Sequence, residues 1–448
     1  MSIRHLFLIG ALLGTAHPWA SAADTPAAPT TGPAAASTAL SLAQVLQAAR
    51  QNPDVMAAQR AAEAAKADIQ TADRAPAPTL SAGISSIDMQ NGVGSGSFWT
   101  QKRLDKSLGL DWTWERGNKR ALRTEVAERS ARAAQADGTD MAVMQQIGAQ
   151  NAFYDLLAAQ QRLQTVQAIA QSAQQLADTA ARRLKAGDLS AQETARTRIE
   201  AERARADVHS AQLEHQQAAQ ALSIWTGQKP PVGGWTAQGA WPVANTNVSN
   251  SAAQAEAAID ALVEQRPDVL AARERVAAAQ AALQAAQALK SADPSIGASM
   301  DHYPGTSTRL LALRISLPLN GWQRFDGEIG RALAQEQQSL DLLQKTRLQA
   351  RSELMALMQG WQASAGRLKI YDEQIVPQAT QVAAQAELAY SKGGLTLTDL
   401  LDARRTLKTT QLEALAVRSE HAKALGTWQL RSASPEALQL RSASTTTP

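Results

Sequence analysis

"RLKAGDLSAQETARTRIE", Arg183 to Glu200, marks the end of one helix, a tight turn and the start of another. About two hundred residues later "YSKGGLTLTDLLDARRTL", Tyr390 to Leu407, does the same. Gly187 and Gly393 are placed to end a helix in the left-handed conformation. Each is followed by an apolar residue and a hydroxyl, Leu189-Ser190 and Leu395-Thr396, and then by an acid, Glu193 or Asp399. The helices that meet at these turns are rich in Ala, Gln, Glu and Arg, which favours helices packed closely through small side chains.

Working outward from the turns exposes a unit written twice. "QNPDVMAAQRAAEAAKADIQTA" from Gln51 recurs as "QRPDVLAARERVAAAQAALQAA" from Gln265. Each is followed by a Pro-containing break, an alternating segment, a Gly and basic cluster and a very long helical tract. The spacing predicts helices over Leu42–Arg74, Lys119–Leu184 and Ala191–Trp225, then over Ile259–Lys290, Asp326–Ser391 and Leu397–Gln429. The tract from Lys119 has about 65 residues, about 100 Å at 1.5 Å per residue. In each half the two shorter helices together match the long one, as two short helices stacked beside it would require. An ordinary antiparallel coiled coil would share the helices but not the strands. Pro377 interrupts the second long tract and predicts a kink.

The strands alternate. In "SLGLDWTWE" Leu108, Leu110, Trp112 and Trp114 share one face, and in "LLALRISLPL" Leu311, Leu313, Ile315, Leu317 and Leu319 do. Such alternation suits a barrel wall with lipid outside and water inside, and equally a half-buried soluble strand. Two further strands, from Thr79 and Ser295, alternate poorly. Phe98, Trp99, Trp112, Trp114, Tyr303, Trp322 and Phe325 gather at the segment ends, as an interfacial girdle or as scattered core aromatics. Four strands cannot close a barrel, and open edges are not tolerated in lipid. If these strands span a membrane, three copies would pool twelve of them around a pore.

The 448-residue chain carries a formal charge of +3 and no cysteine. Its interspersed charges read as solvated helix faces and make no case for nucleic acid. Residues 1–22 have the layout of a secretory signal peptide, with Arg4, an apolar run from Leu6 and Ala20-Ser21-Ala22. Without cysteine, no lipid is attached through an N-terminal Cys. Residues 23–39 read as a flexible linker, 40–225 as the first unit, 226–258 as a connecting segment, 259–430 as the second unit and 431–448 as a tail. No nucleophile with a base, phosphate loop or nucleotide fingerprint is present, so neither an enzyme nor a cofactor is expected. His209, His215, His302 and His421 make no pair at ligand spacing, so no metal site is expected either.

The doubled Q-x-P-D-V helix, the strand pairs and the Tyr390–Leu407 turn resemble the TolC-like outer-membrane efflux factors over nearly the whole mature chain. "LDWTWERGNKRALRTEVAE" is similar to the strand–helix junction of the CzcC-like cation-efflux branch, which has Gly-Gly-Lys-Arg there; Asn118 replaces one glycine. The resemblance implies a mixed α and β membrane protein: a homotrimeric twelve-stranded outer-membrane barrel, four strands per chain, continued by a long periplasmic helical barrel. It implies docking onto a periplasmic adaptor and an inner-membrane pump, of the RND type, and export of divalent metal cations. A multidrug or type I secretion exit duct has the same architecture, and a soluble periplasmic coiled-coil scaffold is the alternative of another class. By the family pattern Asp399 and Asp402, three apart on one helix face, fall on the acids ringing the periplasmic mouth, with Glu193 at a similar place. Acids at a helix start also stabilise the helix dipole without any pore. Tyr390 matches the position that holds the closed mouth. Gly187, Leu189, Ser190, Gly393, Leu395 and Thr396 match the turns that adaptors contact; a plain helical turn explains the glycines equally. Leu395 stands where some relatives carry arginine, so a closing ion pair would need another cation, such as Arg404 or Arg405.

Overall fold

The structure, a computed structural model, describes residues 38–93, 103–231, 234–243, 252–304, 307–319 and 324–433. The signal segment, most of the linker and of the tail, and Phe98, Trp99 and Trp322 lie outside the described residues. The order is β1 (Thr38–Ser41), α1 (Leu42–Ala49), α2 (Pro53–Ala72), β2 (Thr79–Ser85), β3 (Asp105–Thr113), α3 (Lys119–Ala186) and α4 (Ala191–Thr226). After β4 (Trp235–Gln238) come α5 (Ala252–Gln265), α6 (Pro267–Ala288), β5 (Ser295–Tyr303), β6 (Ser307–Ser316) and α7 (Asp326–Ile370). A π-helical turn (Tyr371–Ile375), α8 (Val376–Ser391) and α9 (Leu397–Ser432) complete it. With 68 residues, α3 is about 100 Å long. It packs against α2, α4, α6 and α9, while α7 packs against α6 and α9. Among the described residues no helix is long and apolar enough to cross a membrane.

The helices expected over Leu42–Arg74 and Ile259–Lys290 are each broken in two, and the Q-x-P-D-V motif breaks them. Proline lacks an N–H and forces the residue before it out of the helical region. Asn52 and Arg266 accordingly turn extended, at ψ 142° and 139°, and Pro53 and Pro267 start new helices. The buried Asn52 side chain caps Asp54 N and donates to the carbonyls of Ile224 and Trp225, at 2.9 and 3.0 Å. The start of α2 is thereby tied to the end of α4. Arg266, also buried, pairs with Asp268 and Glu353, at 2.7 and 2.8 Å.

The main apolar core gathers beside the first break, where Phe153, Leu156 and Leu157 of α3 meet Val45, Leu222 and Trp235. A smaller core beside the second break holds Val263, Val269, Leu343 and Leu354. Elsewhere the helices bury alanines, such as Ala177, Ala180, Ala201 and Ala211, together with a few larger residues such as Leu368, Leu400 and Val417. The connecting segment is not merely a linker: its β4 pairs in parallel with β1. At Pro377 the helix does not stop. A π turn precedes the proline, with Val376 N bonded back to Tyr371 O, and α8 continues from it.

The sheet has the order β2-β3-β5-β6, antiparallel throughout, with β2 and β6 as open edges. Register places Leu80, Leu110, Ala298 and Leu313 in one row, and Ala82, Leu108, Met300 and Leu311 in the next. The strands that seemed to alternate poorly therefore do alternate, with Ala82 and Ala298 standing at apolar positions. This apolar face is the exposed one: Leu80 is 70% and Leu313 77% exposed. The opposite face carries Ser81, Ser107, Gly109, Asp111, Ser299 and Asp301, and Asp301 is only 7% exposed. One face of the sheet is thus apolar and exposed and the other largely polar; among the described residues nothing apolar packs over the first, as it would in a soluble sheet. β3 and β6 end at Thr113 and Ser316, so Trp114, Leu317 and Leu319 fall beyond them. Trp112, Trp114 and Tyr303 are exposed and Phe325 half-buried.

Candidate functional site

The two glycine turns are built alike. Gly187 has φ 85° and Gly393 φ 75°. Asp188 N bonds to Arg183 O at 2.9 Å and Gly394 N to Ala389 O at 2.9 Å, the reach back across the last turn that satisfies orphan carbonyls. Ser190 and Thr396 then cap α4 and α9, accepting from Glu193 N at 3.2 Å and Asp399 N at 3.3 Å. Their hydroxyls donate to the same acids, at 2.7 Å for Glu193 and 2.6 Å for Asp399. Ser190 N also donates to Glu193, completing a capping box. These bonds, the Ser190 hydroxyl first, hold the Glu193 carboxyl below its usual range. Leu189 and Leu395 are half-buried, each one residue before the cap.

Asp399 and Asp402 are both exposed on α9. Asp402 has Arg405 at 3.6 Å, an exposed pair of little energetic weight. The chief link of Arg405 is to Glu200 of α4, at 2.9 Å, and Arg404 is held by Glu387 of α8, at 2.8 Å. Neither arginine joins Asp399. The ring of Tyr390 lies under the Arg183 guanidinium, 5.8 Å from its centroid, so the last turns of α3 and α8 touch. Arg196 reaches Thr398 at 3.3 Å, and Lys408 pairs with Asp207. The α3–α4 and α8–α9 hairpins are thus bound side by side along α4 and α9, through Arg196–Thr398, Glu200–Arg405 and Asp207–Lys408. Hydrogen bonds from Arg405 hold the Glu200 carboxyl below its usual range.

Arg183, Arg196, Glu200, Asp207 and Lys408 were not singled out in the sequence. Their partners lie about two hundred residues away, and nothing in a helical charge pattern names such a partner. Among the described residues no group of three His, Cys, Asp or Glu side chains is placed to hold a metal ion.

A model of the outer membrane efflux protein family matches residues 45–228 and 258–427. The chain belongs to that family. The cobalt-zinc-cadmium resistance protein CzcC of Cupriavidus metallidurans is 27% identical over 319 residues, 68% of this chain and 71% of that one. Among solved structures, CusC superposes with a TM-score of 0.72 at 17% identity, covering 87% of this chain and 91% of that one. VceC of Vibrio cholerae gives 0.68 at 21% identity over 87% and 95%, and the CmeC channel of Campylobacter jejuni 0.73 at 14% over 90% and 89%. The fold of this family member is therefore that of the TolC-like channels.

The strand–helix junction of this family member explains Asn118. Gly117 and Asn118 both lie in the left-handed region, at φ 73° and 56°, and asparagine is the side chain that tolerates it best after glycine. A Cβ on Gly117 would press into Ser291. Next to it Lys119 Nζ bonds to Ser291 O and Asp293, both at 2.7 Å, and Asp293 accepts from Arg116 N at 2.8 Å. Arg120 forks onto Asp73 at 2.9 and 3.0 Å. The basic cluster fastens the root of the sheet to the helices.

Proposed function

We propose that this protein is the outer-membrane channel of a tripartite efflux system for divalent metal cations, working as a homotrimer with a periplasmic adaptor and an RND-type inner-membrane pump. The observation that carries the reading is the sheet. One face exposes Leu80, Leu108, Leu110, Leu311, Leu313 and Ile315, the opposite face is largely polar, and the edges β2 and β6 are unpaired. Water penalises the exposed apolar side chains and leaves the edges open to pairing, and lipid plus neighbouring copies resolves both. Pairing β6 of one copy with β2 of the next would close twelve strands around the polar face. The long helices would continue that pore into the periplasm. On this reading residues 40–225 and 259–430 are duplicated units joined by 226–258, behind the signal of residues 1–22.

The glycine turns would then face the adaptor, with Gly187, Leu189, Ser190, Gly393, Leu395 and Thr396 as its contact. Asp399 and Asp402 would ring the mouth, where three copies converge six carboxylates and favour cations. Tyr390 with Arg183, and Arg405 with Glu200, would hold it narrow. Glu193 would act mainly as a cap. The metal cargo rests on the name of the CzcC relative. A deletion strain, complemented by the wild type or by D399A/D402A, is tested against zinc, cobalt, cadmium, dyes and antibiotics. Metal sensitivity rescued by the wild type supports the reading. Sensitivity to drugs alone replaces the cargo, and recovery of a soluble periplasmic monomer overturns the channel.

A further inference from the structure

We propose that the partly open cavity between the four helices near the tip binds a small neutral aromatic molecule bearing one hydroxyl or N–H, of the phenol or indole class. The cavity, about 130 Å³, lies where α3, α4, α8 and α9 meet. Leu176 on its wall is about three helical turns from Gly187. Its space comes from residue size: Ala173 and Ala204 stand on adjoining helices where a larger side chain would close the gap. Ile169, Leu176, Leu401 and Leu407 complete an apolar chamber. Packed interiors leave few voids larger than a water, and a dry cavity of about 150 Å³ admits benzene. This cavity is of similar volume, with an apolar floor and a polar rim open to solvent.

The rim decides the charge of the occupant. Arg404, Arg405 and Lys408 all line it, yet each is matched by a carboxylate: Glu387 at 2.8 Å, Glu200 at 2.9 Å, and Asp207. A charged ligand would compete with these pairs for their partners, and a neutral one leaves them intact. The rim also supplies a specific polar handle. Each carboxylate oxygen accepts two bonds, so Glu200 can take a ligand O–H or N–H while keeping Arg405, and Ser172 and Gln411 stand on the same wall. An apolar ring with one donor fits both parts of the chamber.

An occupant would touch both hairpins and hold α3–α4 against α8–α9. This consequence rests on reading the tip as the mouth of a channel; the binding itself does not.

The test is titration calorimetry of phenol, indole and benzoate into the full-length protein in nanodiscs. A173L and A204L serve as independent fillings of the cavity. Phenol and indole are expected to bind the wild type, and each filled variant at least tenfold more weakly, with the circular dichroism spectrum unchanged. Benzoate is expected to bind at least tenfold more weakly than phenol. L176A enlarges the chamber and should admit 2-naphthol, which the wild type excludes. That arm stands even if a filled variant does not fold. Saturable binding that survives both fillings, equal affinity for benzoate and phenol, or no binding at millimolar concentration would overturn the proposal. Single-channel recordings with and without indole read the dependent consequence separately: indole should lower the open probability. Calorimetric binding without any channel activity would leave the site standing and count against the efflux reading alone.

Discussion

The two ends of this molecule handle their exposed surface in opposite ways. The sheet leaves Leu80, Leu108, Leu311, Leu313 and Ile315 exposed and both edges unpaired. The tip exposes charge, and the charges between its hairpins are matched within the chain, as in Glu200–Arg405, Glu387–Arg404 and Asp207–Lys408. On the proposed channel reading, one end is unfinished without lipid and further copies. The other is already satisfied and must give something up to change. An assembly whose wall must be permanent and whose mouth must be adjustable needs this division: strong, non-directional apolar burial at one end, weak and exchangeable ion pairs at the other.

The sharpest way to break the comparison is to put a charge on the apolar face. L313R is expected to cost about 2–4 kcal/mol for each chain near the bilayer midplane and to abolish the heat-modifiable trimer on gels. A312R, on the opposite face one residue away, should leave the trimer intact. Equal loss from both would show that the faces are not distinct.

The next effect lies between the two ends. N52A removes the cap of α2 and strips a partner from the carbonyls of Ile224 and Trp225. It should cost about 1–3 kcal/mol, read as a lowered midpoint in denaturant with the slope unchanged.

At the tip the expected effects are smaller. E200Q and K408M should each cost about 0–1 kcal/mol, since both pairs are partly exposed. Their signature should be functional instead, as larger single-channel conductance or faster crosslink loss between cysteines placed on α4 and α9. The Glu200 carboxyl titrates lower in the folded state than in the unfolded, so its contribution is present above the ordinary carboxylate range. It is lost as pH falls through the depressed value. Acidification should therefore loosen the α4–α9 seam in the wild type and have less effect in E200Q.

One effect of similar size should instead stabilise. Phe325, at the start of α7, has φ 54°, the conformation Asn118 adopts at the start of α3. An aromatic residue there is strained, and F325N should raise stability by about 1 kcal/mol. A fall instead would mean that the ring's contacts outweigh the strain.

Much of the fold was legible because helix starts and stops are local events. Glycine with a positive φ, a hydroxyl that caps, and proline that restarts a helix each act within a few residues. The breaks at Asn52 and Arg266 were nevertheless read through, although Pro53 and Pro267 stood in plain view. β4 was missed because four residues paired with four distant ones leave no periodic trace.

What the sequence determined by itself is the order of the elements, the lengths of the long helices and the two glycine turns, since each follows from backbone preferences over one or two helical turns. Only the tertiary structure decided that Ala82 and Ala298 belong to the apolar face, because a small side chain takes its meaning from the register beside it. Only the tertiary structure joined Arg405 to Glu200 and left a cavity beneath them. An ion pair or a void between helices depends on the packing of segments two hundred residues apart, and no local preference encodes it.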